Sequence, residues 1–435
     1  MTGIIFNPDP EKTGDFMYCL MKELYPICRS ITGDGVRKTL TIIKKHVPLN
    51  IVEVHSGTQV FDWKIPKEWN IKDAYIKNLS GERIVDFNKS NLHVLNYSIP
   101  VNKKISFEEL RSHLYALPDY PDWIPYLSSY YQENWGFCIT QNQLQNMNDQ
   151  YYDVCIDSNL KSGFLTYGEF FIQGELNEEI LFSCYLCHPS VCNDSLSGVV
   201  LLTYLAHELN TIKPKYSYRF LFIPETIGAI SWLCLNENCL KNIKFGLVVT
   251  CVGDNGISTY QKTKQGDNLI DKIVEKVLID SGKDFNLRNF NPSGSDERQY
   301  SSPGINLQMG SLMRTPYGDY PEYHTSADNL ELVDSNSLAD SFKKYLDVIY
   351  IVENNGIYLN LNPKCEPQLG RRGLYDMIGG RRELLFDKEG LFWVLNFSDG
   401  TYSLLDIAIR SGMKFSDIKL TADILLEHGL LRKVL

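Results

Sequence analysis

The stretch EEILFSCYLCHPSVCNDSLSGVVLLTYLAHEL, residues 178–209, contains three successive patterns. Its beginning, EEILFSCYL, is a short apolar run of the kind that predicts a buried strand. Its end, LSGVVLLTYLAHEL, predicts a helix, and a polar loop joins the two. A strand, a loop and a helix in this order are the repeating unit of α/β proteins.

The same alternation continues along the chain. SYRFLFIPE (217–225) and FGLVVTCVG (245–253) predict two more buried strands, and NLIDKIVEKVLIDSG (268–282) predicts another helix. This order predicts an α/β fold with a mixed, mainly parallel sheet between layers of helices. Because ligands bind beyond the carboxyl ends of strands in such sheets, we expect a functional site near His188 and Glu225, which both follow predicted strands.

The length of 435 residues predicts more than one domain. Residues 1–53 and 159–357 carry the α/β pattern. Residues 54–158 contain short alternating segments such as AYIKNL, RIVDF and LHVLNYSIPV, which predict a mostly β insertion domain. Residues 364–435 contain three helical patterns and a final strand-like LLRKVL, which is the outline of a winged helix-turn-helix domain.

Charge and composition exclude several classes of partner. The net charge of -10 and the isoelectric point near 5.4 argue against nucleic acid or an anionic membrane as the main partner. From Gly400 onward the sequence has five positively charged side chains and four negatively charged ones. We therefore expect the winged helix to pack or to form a homo-oligomer rather than bind DNA. Eleven cysteines without a visible export signal predict reduced thiols and a cytoplasmic location.

Residues Cys184 to His188 spell C-x-x-C-H, the signature of c-type haem attachment. Without an export signal this reading is weak, because haem c is normally attached outside the cytoplasm. A zinc knuckle would need a second C-x-x-C pair, and Cys192 alone does not supply one. We therefore interpret Cys184 and Cys187 as small buried hydrophobic residues.

Four residues along the α/β pattern form a candidate hydrolytic set: His188, Asp194, Glu225 and His324. Imidazole and carboxylate are the ligands of a catalytic zinc ion, which keeps one position open for water. A nearby carboxylate can accept a proton from that water and pass it to the leaving group. Each residue also has a simpler explanation, because a histidine can be a satisfied core residue, and Asp194 or Glu225 can cap a helix.

The motifs NDSLSG and YHTSADN resemble those of the co-catalytic zinc aminopeptidases, the clan that includes bacterial leucyl aminopeptidase and glutamate carboxypeptidase. The resemblance covers residues 12–53 and 159–357. It implies that His188, Asp194 and His324 are metal ligands and that Glu225 is the general base. GSDERQY and HPSVCNDSLSG further resemble a bacterial aminopeptidase-like subgroup with a β insertion and a C-terminal winged helix, often encoded beside polysaccharide-synthesis genes.

Two ligand positions of the clan differ in this chain. Thr226 stands where a second glutamate would bind metal, and Thr250 or Cys251 stands where an aspartate is usual. The resemblance therefore implies one zinc ion rather than two. Whether Cys251 or Thr226 replaces a missing ligand stays open at this point.

The motif GSDERQY supplies further candidates for substrate binding. Asp296 and Glu297 are candidates to hold a free amine, and Arg298 is a candidate to hold a carboxylate; the alternative is a solvated charged loop. Tyr323, beside His324, is a candidate to line the pocket. The aromatic segment PDWIPYLSSYYQENWGF (121–137) is a candidate lid over the site, or ordinary core.

These patterns lead to a functional hypothesis. We expect a zinc-dependent hydrolase of amide bonds, in first place an aminopeptidase acting on small peptides. The alternatives are an amidase or deacetylase acting on an amino-sugar or amino-acid conjugate in surface-polysaccharide synthesis, and an inactive peptidase-like protein with a binding or regulatory role.

Overall fold

The computed structural model describes residues 9–374 and 388–434. Its described residues divide into two compact units, a larger one of residues 9–271 and 284–343 and a smaller one of residues 272–283, 344–374 and 388–434. The first eight residues and residues 375–387, which fall within the predicted winged-helix segment, lie outside the described part. The domain boundaries derived from the sequence stay predictions.

The larger unit is built on an eight-stranded sheet. Its strands are β1 (Asn50–His55), β2 (Phe164–Ile172), β3 (Glu179–Tyr185), β4 (Ser217–Ile223), β5 (Ile243–Val248), β6 (Ser258–Gln261), β7 (Phe285–Arg288) and β8 (Met309–Met313). They lie side by side in the order β1-β2-β4-β3-β5-β8-β6-β7.

The centre of this sheet is parallel. β3 pairs in parallel with β4 on one side and β5 on the other, and β8 continues the parallel set beside β5. All seven residues of β3 are buried, as expected for a strand covered on both faces. Antiparallel pairs occur at β1, β2 and β6, so the sheet is mixed and mainly parallel, and the predicted fold class is confirmed.

Six longer helices precede the winged-helix segment. They are α1 (Pro10–Leu24), α2 (Asp34–Ile43), α3 (Gly198–Leu209), α4 (Ile227–Leu235), α5 (Leu269–Asp280) and α6 (Ser335–Asn354). The last two of them, α5 and α6, run from the larger unit into the smaller one. The buried side chains of α1 include Met17, Leu20, Met21 and Leu24, which lie on one face at helical spacing. α3 follows directly on the sequence motif that ends β3, as the sequence predicts.

The insertion contains a four-stranded antiparallel sheet. Its strands, in spatial order, are Arg83–Asp86, Glu68–Lys77, Tyr151–Lys161 and Val101–Ser106. The segment LHVLNYSIPV is not the strand that its alternation suggested: it begins in a turn at Asn91–His93. Tyr97 within it has a φ of 71°, which an extended strand cannot accommodate.

The smaller unit contains the winged-helix arrangement. Its helices are Lys388–Phe397, Leu404–Ser411 and Phe415–Glu427, and its three-stranded sheet has Ile357–Asn360 between Asp399–Ser403 and Leu431–Lys433. The three helices and the final strand agree with the sequence prediction. The central strand precedes residue 364, where the sequence analysis placed the start of this domain.

Within the described ranges, no helix combines the length and the apolar character needed to cross a bilayer. All eleven cysteines have free thiols.

Candidate metal centre and active site

The sheet brings the four predicted site residues to one edge. His188 follows β3 and Glu225 follows β4, and these parallel strands end side by side. Asp194 lies in the loop between β3 and α3, and His324 lies in the loop between β8 and α6. Because parallel strands place their carboxyl ends together, this edge is where side chains from distant parts of the chain meet.

Three of these side chains point potential ligand atoms at one another. His324 Nε2 lies 3.1 Å from Asp194 Oδ2, and His188 Nε2 lies 3.9 Å from the same oxygen. One ligand atom from each of the three residues fits within a span of 4.8 Å. Asp194 and His188 are almost fully buried, whereas 34% of the His324 side chain is exposed. The cluster is therefore open to solvent on the His324 side.

The protonation states of this cluster suit metal binding. Burial lowers the pKa of His188 to about 4, so its imidazole is neutral at neutral pH. Burial alone would raise the pKa of Asp194, but the nearby His188 imidazole and hydrogen bonds from His324 and Tyr185 bring it down to about 2. A neutral imidazole and an ionised carboxylate are the forms in which these residues bind metal.

The second oxygen of Asp194 is held by hydroxyl groups. Tyr185 Oη donates a hydrogen bond of 2.5 Å to Asp194 Oδ1, and Thr250 Oγ1 lies 3.3 Å from the same oxygen and 2.9 Å from Tyr185 Oη. Asp194 therefore turns one oxygen to the imidazoles and the other to two hydroxyl groups. These contacts are not those of a helix cap, so the simpler explanation of Asp194 is wrong.

Glu225 lies on the other side of His188. Its Oε2 is 3.7 Å from His188 Nε2, and its Oε1 accepts a 2.9 Å hydrogen bond from Ser295 Oγ. Although 29% of the side chain reaches solvent, the surrounding protein raises the pKa of Glu225 to about 7, and the Asp194 charge adds to this effect. A carboxyl group with such a pKa can both take up and release a proton near neutral pH.

Asp328, which the sequence analysis did not single out, holds the Asp194 loop in place. Its carboxylate accepts hydrogen bonds from the backbone N–H groups of Cys192, Asn193 and Asp194 at 3.0, 2.6 and 3.0 Å. Tyr320 donates a further bond at 3.1 Å. The residue belongs to the YHTSADN motif, so one motif supplies both His324 and the anchor of Asp194.

Cys187 is more than the buried hydrophobic residue that we expected. Its Sγ accepts a hydrogen bond of 3.3 Å from the backbone N–H of Glu225 and lies 3.5 Å from His188 Nδ1. Ligand atoms of Cys187, His188 and Glu225 also fit within a span of 4.8 Å. Cys184 and Cys187 are both buried, as expected, and Cys187 also contacts two of the candidate site residues.

Arg29 holds the backbone of the candidate site at His188. Its side chain is fully buried, and its Nε donates a 2.8 Å hydrogen bond to the carbonyl oxygen of His188. Nothing in the sequence around Arg29 indicated this contact, because the two residues are 159 positions apart.

The candidate substrate-binding residues of GSDERQY divide into buried and exposed members. Asp296 and Glu297 are buried, so the solvated-loop alternative is wrong for both; Arg298 is exposed. Asp296 Oδ1 accepts a 2.7 Å bond from the Thr226 backbone, and Glu297 Oε1 accepts a 2.6 Å bond from Tyr317. Burial raises the pKa of Asp296 well above its ordinary value, and the charge of Glu225 raises it further.

Each of these two buried carboxylates keeps one oxygen without a partner. Asp296 Oδ2 and Glu297 Oε2 accept no hydrogen bond from any residue in the described part of the chain. Such orphan acceptors are costly in a protein interior, so they mark a place where a cationic or hydrogen-bond-donating group is favoured.

Aromatic rings surround the imidazoles. Tyr323 stacks on His324 with a centroid separation of 4.0 Å. Tyr126, from the candidate lid, meets both His188 and His324 edge-on at 5.1 and 5.0 Å. Its backbone N–H also donates a 2.7 Å bond to the carbonyl oxygen of His324. The candidate lid is thus fastened to the loop that carries His324.

The two residues at the clan's altered ligand positions lie beside the site. Thr226 Oγ1 is 3.4 Å from Arg298 Nη2, and Cys251 belongs to neither candidate ligand group in the described residues.

Comparison with known proteins places the chain in a family. A family profile described as "Domain of unknown function (DUF4910)" matches residues 18–355, well over half of the chain. The chain belongs to the DUF4910 family. A second profile, described as winged helix-turn-helix, matches residues 356–433.

A relative of this DUF4910 chain is known in Clostridium acetobutylicum. It is 60% identical over 423 residues, covers 97% of each chain, and is provisionally named as a polysaccharide biosynthesis protein with an aminopeptidase-like domain. A crystal structure from the same organism, provisionally described as a peptidase, has 59% identity and a TM-score of 0.94, with 98% of this chain and 97% of that chain covered.

More distant structures share the fold. A zinc aminopeptidase from Bacillus subtilis has a TM-score of 0.55 at 12% identity, over 78% of this chain and 95% of its own. At this identity the likeness is one of fold. The DUF4910 chain therefore has an aminopeptidase-like α/β fold with a C-terminal winged helix, as the sequence motifs predicted.

Proposed function

We propose that the protein is a zinc-dependent hydrolase of amide bonds. The observation that supports this most directly is the meeting of His188, Asp194 and His324 beside the carboxylate of Glu225, at the carboxyl edge of the sheet. The proposal assigns the first three as metal ligands and Glu225 as general base.

The donor set fits zinc. Two imidazoles and one ionised carboxylate are three ligands of the kind found at catalytic zinc sites, which leave a position open. The partial exposure of His324 supplies access to that position.

The surroundings of Asp194 support one ion rather than two. To bridge two metals, an aspartate must offer one oxygen to each. Here Oδ1 is engaged by the hydroxyl groups of Tyr185 and Thr250, so only Oδ2 faces the imidazoles. Thr226 and Cys251 at the altered positions agree with this count.

In the proposed reaction Glu225 transfers a proton from water to the departing amine. When bound, zinc polarises the carbonyl of the amide and lowers the pKa of water toward about 7. Glu225 takes the proton at the oxygen that faces His188 and returns it to the departing amine, while Ser295 holds its other oxygen. General acid–base catalysis of this kind contributes roughly 10²- to 10⁴-fold to the rate.

An aminopeptidase acting on small peptides is the leading substrate class. The buried carboxylates of Asp296 and Glu297, with their unpartnered oxygens, would favour a free α-amine. Arg298 and Tyr323 complete the proposed substrate contacts.

A second candidate is an amidase or deacetylase that acts on an amino-sugar or amino-acid conjugate in surface-polysaccharide synthesis. The name of the Clostridium relative favours this second candidate, and the same residues would serve this reaction. If the altered ligand positions have abolished activity, the protein is instead an inactive binding or regulatory protein. A cytoplasmic location and a homo-oligomer through the winged helix stay predictions.

The test compares the wild type with Glu225→Gln against a panel of aminoacyl and acetamido amides. We expect the variant to keep its zinc, measured by atomic emission, and to lose activity by roughly 10²- to 10⁴-fold. His324→Ala is the matched control, and it should lose zinc. Equal activity of Glu225→Gln and the wild type would contradict the proposal, as would an absence of zinc from wild-type protein purified without chelator.

A further inference from the structure

A row of aromatic side chains leads from the imidazoles to the surface of the insertion. We call Tyr126, Tyr130, Tyr131 and Trp63 the aromatic row. The hydroxyl groups of Tyr126 and Tyr130 are 2.7 Å apart, the rings of Tyr130 and Tyr131 are 6.3 Å apart, and the rings of Tyr131 and Trp63 are 5.2 Å apart. Tyr126 itself contacts both histidines.

Exposure rises along the aromatic row. Tyr126 is 5% exposed, while Tyr131 is 44% and Trp63 is 37% exposed. Single exposed aromatic residues are common, but here two of them touch each other and form a patch. The row is therefore buried at the reaction centre and open at its outer end.

The backbone is distorted where these rings are presented. Tyr131 has a φ of 67°, and Phe61, at the tip of the hairpin that carries Trp63, has a φ of 50° and is 43% exposed. The left-handed region costs a bulky residue about 1–3 kcal/mol and is retained mainly at functional sites. The positive φ of Phe61 follows from the two-residue hairpin turn that it begins, so the strain that bears on function is the one at Tyr131.

We propose that the aromatic row binds pyranose rings of a glycan that carries the amide to be cleaved. This inference rests on the second candidate of the proposed function, hydrolysis of an amide on an amino sugar, and names the part of the substrate that is bound. A pyranose ring presents weakly positive C–H groups on its face, which suit the negative face of an aromatic ring. Its hydroxyl rim suits polar side chains such as those of Asp62, Lys64 and Gln132, which are exposed and neighbour Trp63 or Tyr131 in the sequence.

Two other occupants fit less well. An apolar peptide side chain is normally selected by an enclosed pocket, whereas these rings lie open to solvent. Single-stranded nucleic acid also stacks on aromatic rings but needs a basic groove. Near the outer end Lys67 is paired with Glu133 at 2.7 Å, and the chain as a whole is acidic.

The test measures binding, separately from hydrolysis. Full-length, zinc-loaded Glu225→Gln protein is mixed with chitotriose, cellotriose or trileucine, and saturation transfer and calorimetric affinity are recorded. We expect chitotriose to bind, with Trp63→Ala weakening it about tenfold, which corresponds to about 1.4 kcal/mol. Tyr151→Ala removes an equally exposed aromatic ring outside the row and should leave the affinity unchanged.

The outcome separates this inference from the proposed reaction. Absence of binding by both oligosaccharides, or binding that Trp63→Ala leaves intact, overturns the inference. Binding of trileucine alone also overturns it. If chitotriose binds through Trp63 but no wild-type preparation cleaves an amide, the inference stands and the proposed reaction falls.

Discussion

Four non-glycine residues around the candidate metal centre have left-handed backbone conformations: Ser190, Thr226, Cys251 and His324, with φ values of 39°, 62°, 52° and 54°. Each lies in a loop that follows a sheet strand, beside a proposed ligand or the proposed base. Strain of this kind persists where the surrounding structure fixes it, and it is concentrated at functional sites. The site is thus preformed by its loops.

A substitution at Asp296 tests whether the buried carboxyl groups lower the stability of the folded protein. Its pKa is raised in the folded state, so the folded protein holds a proton that the unfolded chain releases above the ordinary value of 3.8. Stability is therefore lost as the pH rises through and above that value. We expect Asp296→Asn to be more stable than the wild type at pH 8, with a smaller difference at pH 5, and to be less active.

Thermal unfolding of metal-free protein at both pH values measures this effect. Asp62→Asn, a change at an exposed carboxylate, is the control and should show no such trend. A difference that shrinks as the pH rises would contradict the account.

At the scale of residues, the sequence singles out the four candidate site residues but not the residues that hold them in place. His188, Asp194, Glu225 and His324 stand out because their types and order follow the predicted strands. Tyr185 and Asp328 do not stand out in this way. The hydrogen bond between Asp328 and the Asp194 backbone joins residues 134 positions apart. Such a contact has no local pattern.

The contact between α3 and β5 fixes the Asp194 loop at the scale of elements. Gly198 begins α3, and a Cβ added there would lie 2.1 Å from the carbonyl oxygen of Val249. No side chain fits at that separation. The glycine in NDSLSG therefore lets the helix approach the segment that follows β5 and carries Thr250.

Gly198→Ala should accordingly displace the loop. We expect a loss of stability of about 1–3 kcal/mol, typical of overpacking, together with weaker zinc binding. Gly304→Ala is the control, since nothing in the described residues lies within 4 Å of a Cβ there. Chemical denaturation and zinc titration measure the two effects, and unchanged zinc affinity in Gly198→Ala would show that the contact does not position Asp194.

A second contact between elements joins the insertion to the site. Ser326 donates a 2.8 Å backbone bond to Ile124, and Ser326 Oγ accepts a 3.0 Å bond from the same residue. The sequence offered a lid or ordinary core for this segment, and the structure ties it to the loop that carries His324. The sequence pattern could not distinguish a lid from ordinary core, because the density of aromatic residues is the same in both.

On the scale of the whole molecule, the winged helix raises the question of DNA. The helix Phe415–Glu427 stands where a recognition helix would, but it carries Asp417, Asp423 and Glu427 against Lys419, which pairs with Asp423. An acidic helix is repelled by phosphate groups.

We therefore expect no saturable binding of duplex DNA in the nanomolar range at physiological salt, where specific DNA-binding proteins have dissociation constants of about 10⁻⁸–10⁻¹¹ M. Fluorescence anisotropy with the full-length protein and a pool of random duplexes measures this. Nanomolar binding that weakens with salt would contradict the expectation.

The central claim is that three side chains hold a single zinc ion beside Glu225. Anomalous X-ray scattering on both sides of the zinc edge, from crystals grown without added metal, tests it most directly. We predict one peak, about 2.0–2.2 Å from His188, Asp194 and His324. No peak, two peaks, or a peak bound by other residues would contradict the account.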